Sequence, residues 1–279
     1  MDSVENQSTE TRLANRFVRW TQLRAVGAEL RRRNAILCGV AVAQTVLFVA
    51  FLVGIVIDPR TVGGDPVWLK PATFAASIAI FTATLGWIGT YLPVDDRFLR
   101  TVSIGVAVAA VVEIALIGGQ AGRGVESHFN DSTTLDLSIY VIMGVTIVAM
   151  TLLVGWLLVR SWGRSFDVEP AFAWGIRLGI LLFVLGALEG AAMVAFETSS
   201  LGAGGTVPVV GWTVSGDFRV AHFVGLHALQ VLPIGGYLAA VAGERGLLER
   251  PTRVVALFGG SYALLFLVAF GQALVPAFQ

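Results

Sequence analysis

Charge is scarce in this sequence. Only 14% of its 279 residues are Asp, Glu, Lys or Arg, whereas soluble domains carry about 25%. Hydrophobic residues make up 56%, and the mean hydropathy is +0.77. With apolar runs longer than about 18 residues, such a chain belongs in a bilayer. Cysteine is almost missing. Cys38 stands alone, which excludes an intrachain disulfide and a cysteine-built zinc cluster. Lysine is as rare: Lys70 is the single Lys among the 19 basic residues. The formal net charge is zero, so nothing points to a nucleic-acid partner.

What remains is apolar segments punctuated by charge. Residues 1–34 read as a cytoplasmic N-terminal segment and residues 35–279 as a transmembrane domain of seven helices. The spans expected are Ala35–Ile57, Thr73–Leu92, Thr101–Gln120, Leu137–Val159, Phe172–Phe196, Phe218–Ala242 and Val254–Val275. Helices are the reading because a span must satisfy its backbone internally, and nothing alternates as a barrel strand would. The fold class is therefore all-α, a polytopic bundle. Ahead of it, residues 11–33 read as an amphipathic helix. Leu13, Phe17, Trp20 and Leu23 fall on one side, and Arg12, Arg16 and Arg19 on another. Such a helix lies in the interface and meets anionic lipid headgroups with its arginines.

Basic residues set the orientation. With the N-terminus cytoplasmic, the cytoplasmic side holds Arg12, Arg16, Arg19, Arg24, Arg31, Arg32, Arg33, Arg97, Arg100, Arg160, Arg164, Arg177, Arg245, Arg250 and Arg253. The other side holds Arg60, Lys70, Arg123 and Arg219. The placement expected is a multi-pass protein of the cell inner membrane, N-terminus cytoplasmic and C-terminus extracytoplasmic.

The sixth span carries two of the three histidines, His222 and His227, with Asp217, Arg219 and Gln230 near them. On a helical wheel with His222 at zero, Arg219, Gln230 and His227 fall at about 60°, 80° and 140°. One arc is thus polar and the rest apolar. Intramembrane His and Arg face a bundle interior or a wet cavity. The third span adds Glu113 and Gln120 on one face, which would reach Gly124 and His128 if the helix continued. Arg123, His128 and Asn130 follow at its mouth. Glu189 lies in the fifth span. Lys70 opens the second span, where the positive helix end repels a cation. Asp65, Glu113, Glu197, Asp217 or a bound anion is its expected partner.

These residues outline a polar pocket on the extracytoplasmic side, lined by the second, third, fifth, sixth and seventh spans. The expected catalytic set is His222, His227, Glu113 and His128. The expected substrate-binding set is Lys70, Gln120, Arg123, Asn130, Glu189, Asp217, Arg219 and Gln230. His128, His222 and His227 are the candidate ligands of a metal ion or haem, although His222 and His227 lack the i, i+4 spacing of a helical zinc pair. Seven spans with three histidines resemble the seven-helix zinc-dependent lipid hydrolases in count. The helical H-x-x-x-H pair of that family is absent here, so no residue is carried over from it. The seventh span has no Lys, which excludes a retinal Schiff base of the opsin kind. The leading function is a membrane-embedded enzyme on a lipid-like or quinone-like substrate. The alternatives are a small-solute or proton-coupled transporter and a sensor or assembly factor without catalysis.

Overall fold

The computed structural model describes residues 24–202, 212–213 and 216–278. The apolar face expected at Leu13, Phe17, Trp20 and Leu23 lies outside the described residues. The chain enters as a helix, α1, described over residues 24–33. Seven long helices follow: α2 (Ala35–Ile57), α3 (Leu69–Ile88), α4 (Asp96–Arg123), α5 (Thr134–Ser161), α6 (Pro170–Ala195), α7 (Phe218–Glu244) and α8 (Pro251–Leu274). All seven are long and apolar enough to cross a membrane. The protein is an all-α multi-pass membrane protein.

Several helices start two to five residues earlier than hydropathy alone suggests, because polar caps extend them beyond the apolar run. The Asp95 carboxylate accepts from Phe98 N, Thr133 Oγ1 from Asp136 N, and Glu169 from Ala171 N. Each satisfies an amide that the first helical turn leaves without a partner. Pro170 and Pro251 sit in first turns, where the missing N–H costs nothing. Between α2 and α3 a two-stranded hairpin, β1 (Thr61–Val62) and β2 (Asp65–Pro66), turns through Gly63 and Gly64. Both glycines have positive φ, 61° and 91°, a region Cβ-bearing residues avoid.

The bundle has two ends. The α2–α3, α4–α5 and α6–α7 connections form the long-loop end, and the α3–α4, α5–α6 and α7–α8 connections the short-loop end. At the short-loop end α1 is pinned to α3. Arg33 bonds Thr90 Oγ1 at 3.0 Å, and its guanidinium lies 4.7 Å and 4.8 Å from the Trp87 and Tyr91 ring centres. Glu29 bridges Arg32 and Arg33. The core runs through α2–α7, with Leu37, Leu85, Val106, Val154, Ile180 and Leu229 buried together. Phe81 of α3 stacks on Phe183 of α6 at 4.9 Å. The most intimate pair is α6 with α7. A Cβ on Gly186 would lie 2.5 Å from Gly225 Cα, and one on Gly175 2.5 Å from Leu232 O. Backbones can approach this closely only where both surfaces are small. Apolar side chains such as Val46, Val56, Leu152, Val145, Leu264 and Leu267 are exposed, as a lipid-facing surface requires.

Candidate functional site

The ionisable residues at the long-loop end form two glutamate–histidine pairs. The first joins α4 to the α4–α5 loop. α4 ends at Gly124, whose φ of 73° stops the helix. His128 is therefore not on a continued helical face. The loop instead folds it back, so that Nε2 lies 3.9 Å from Glu113 Oε1. The other ring nitrogen, Nδ1, meets Ser127 Oγ at 3.0 Å. Phe74, Phe129 and Tyr140 surround the ring at 5.6, 6.5 and 6.3 Å. Burial, with the Lys70 ammonium nearby, pushes the His128 pKa down to about 3. The ring is neutral at physiological pH, so its approach to Glu113 is not an ion pair. Lys70 finds a partner that the sequence did not single out, Glu126, at 3.7 Å.

The second pair joins α6 to α7. Glu189 is buried, and its Oε2 lies 3.4 Å from His222 Nδ1. Both carboxylate oxygens and Nδ1 are enclosed with no hydrogen-bond partner among the described residues. Buried polar atoms in native structures nearly always have one, so such a trio asks for a reason. The His222 side chain nonetheless keeps 31% of its area exposed. Gly190 makes room for the ring: a Cβ there would sit 3.3 Å from His222 Cε1. The G-x-x-x-G of the sequence thus has two uses. Gly186 lets α7 approach, and Gly190 seats the histidine.

The remaining candidates hold structure together. Gln120 Nε2 and Arg123 Nη1 both donate to Asp136 Oδ1, at 2.9 Å and 2.6 Å. Arg123 also bonds Gln120 Oε1. This network locks the end of α4 to the start of α5. Asn130 donates to Glu126 O and accepts from Ser132 N, bracing the loop. Asp217 caps α7, accepting from Arg219 N and Thr213 N, and pairs with the Arg219 guanidinium at 2.6 Å. Gln230 donates to Thr84 Oγ1 of α3 at 3.2 Å. His227 Nδ1 bonds Phe223 O at 2.9 Å, and its ring stacks on Phe223 at 3.9 Å. The polar arc of α7 therefore exists, but its members turn to different neighbours. Among the described residues no three His, Cys, Asp or Glu gather as metal ligands. The three histidines are not brought together.

Two aromatic residues make contacts that the sequence did not specify. Tyr140 lies between the His128 loop and Glu197, which acts on it electrostatically. Both Phe129 and Glu197 carry positive φ, 54° and 52°, a strained region for such residues. Trp68 is the other. It stacks on Phe51 at 5.6 Å and donates to Asp58 Oδ2 at 2.8 Å. Comparison with family models, curated proteins and solved structures finds no match, so function is argued from this geometry alone.

Proposed function

We propose that this protein is a membrane-embedded enzyme whose general base is His222, oriented by Glu189, and whose substrate is lipid-like or quinone-like. One observation carries the reading: a buried carboxylate faces Nδ1 of a histidine whose side chain stays partly exposed. A carboxylate at Nδ1 fixes the tautomer and stabilises the imidazolium, leaving Nε2 to take a proton. The 3.4 Å separation is loose, as catalytic hydrogen bonds often are before substrate tightens them. Nε2 would accept the proton of a substrate hydroxyl, a water or an acidic C–H, and return it to a leaving group. The substrate arrives from the bilayer, because the dyad sits on spanning helices.

A transporter would need polar groups reaching the short-loop end. There Asn34 already donates to Ser103 Oγ at 2.7 Å, and the hydroxyls of Thr82 and Thr151 bond carbonyls of their own helices. These satisfied groups favour chemistry at one end over passage through the bundle.

The test compares lipid and quinone profiles of membranes holding equal amounts of wild type, His222→Gln and Glu189→Gln. A species that appears or disappears with wild type alone is expected. Identical profiles in all three would remove the enzyme reading. Elemental analysis and an absorption spectrum of the same preparations test whether a metal or haem joins the histidine. The orientation proposed puts the dyad in the extracytoplasmic half of the cell inner membrane. A periplasm-dependent reporter such as alkaline phosphatase, fused after Gln279, should then be active, and activity of a cytoplasmic reporter alone would reverse it.

A further inference from the structure

Between α2 and α4 an open groove of about 800 Å3 runs along the side of the bundle. That is the size of a small-molecule site. Among the described residues no charged side chain lines it. Its floor is made flat by Gly39 and Ala43 of α2 and Ala115 and Gly118 of α4. Its long-loop end is closed by the stacked rings of Phe51 and Trp68. This stop is built into the sequence, because a Cβ on Gly54 would lie 2.8 Å from the Trp68 ring.

One polar side chain other than Trp68 lines the groove, Gln44. It is 1% exposed, and its Oε1 has no donor. Its Nε2 donates to Ala110 O at 3.3 Å, a long bond. An amide oxygen buried without a donor is costly in an apolar medium, and a ligand supplying the donor removes that cost. The last torsion of Gln is broad, so the amide can turn to offer Oε1 to the groove without moving the backbone, giving up the long Nε2 bond to Ala110 O.

We propose that this groove binds the head of a quinol-type lipid, a neutral ring bearing hydroxyl donors, with Gln44 as acceptor. Depth selects the class. Gln44 is the tenth of the 23 residues of α2, near the middle of the membrane. Phospholipids and sterols keep their donors at the interface. A neutral quinol is apolar enough to bring its hydroxyls to mid-depth, and the uncharged lining suits it. The site rests on α2 and α4 and not on the Glu189–His222 dyad, and its test reads binding instead of turnover, so either idea can fail alone.

The probes are decylubiquinol and its dimethyl ether, which has the same ring and tail but no donor. Binding is measured by calorimetry to the whole protein in phosphatidylcholine nanodiscs. Wild type should bind the quinol about tenfold more tightly than the ether, the value of one good hydrogen bond. Gln44→Leu should bind both equally, and Gln44→Met serves if the Leu variant does not fold. Ala43→Phe, at an exposed position, should fill the groove and abolish binding of both while the thermal midpoint holds. Absence of quinol binding, equal binding of quinol and ether by wild type, or discrimination surviving in the Gln44 variants would overturn the proposal. So would a co-purifying phospholipid that Ala43→Phe excludes and the quinol does not displace.

Discussion

The two glutamate–histidine pairs use the same residue types and reach opposite states. In the first, His128 comes from a loop; its Nδ1 meets Ser127 Oγ at 3.0 Å, and its Nε2 stands 3.9 Å from Glu113 Oε1, beyond hydrogen-bond distance. Three aromatic rings surround it, and burial, with a nearby ammonium, holds it neutral. In the second, His222 stands on a helix that is locked to α6 by glycine contacts. Its Nδ1 faces a buried carboxylate, and the side chain stays partly exposed. The first pair holds one ring nitrogen on a hydroxyl; the second leaves Nδ1 with no hydrogen-bond partner among the described residues. Residue identity therefore does not decide what such a pair does; what each nitrogen faces does.

The largest break in this comparison should come from Gly186→Leu. Its side chain would collide with the Gly225 backbone, which cannot rotate away as a side chain could. The helices must part, costing about 3 kcal/mol or more. Glu189 would leave His222 while the Glu113–His128 pair stays intact. The expected outcome is a thermal midpoint far below wild type. Unchanged stability would mean that the α6–α7 contact is less tight than the geometry requires.

A sharper test exchanges the histidines. His222→Gln should remove the wild-type change in the membrane lipid or quinone profile by 100-fold or more, the range of a general base, with stability unchanged. His128→Gln should keep that change and lose about 1–2 kcal/mol, because aromatic contacts of this kind are worth about 0.5–1.5 kcal/mol each. The reverse result, an inert but stable His128 variant beside an active His222 variant, would swap the roles of the two pairs.

The architecture was legible because membrane spans announce themselves by length and apolarity. The first span is predicted residue for residue, Ala35–Ile57. Other boundaries shifted where a single side chain decides them, as Asp95 does in starting α4 at Asp96. The site was legible by type and arc but not by partner. The wheel placed His222, Arg219, Gln230 and His227 on one side of α7, yet their neighbours are Glu189, Asp217, Thr84 and Phe223. Helix periodicity fixes directions within one helix and says nothing about which helix lies opposite. Lys70 shows the same limit. Its position demanded an anion, and the one supplied, Glu126, comes from a loop whose path is set by the positive φ of Gly124.

The smallest effect separates the pairs by their protons. His128 has a pKa of about 3 in the folded protein against 6.5 for a free side chain. Between these values the unfolded chain binds a proton that the folded one does not, so stability falls as pH falls. The contribution is fully present above about pH 6.5 and is lost progressively toward pH 3. At pH 5.5 the loss should be about 1.4 kcal/mol, or about 3 °C in the thermal midpoint of a chain this size. Lowering the pH from 7.5 to 5.5 should therefore depress the midpoint of wild type and of His222→Gln by about that much more than it depresses His128→Gln. If all three fall equally, His128 titrates normally, its ring is open to water, and the contrast between the two pairs loses its electrostatic half.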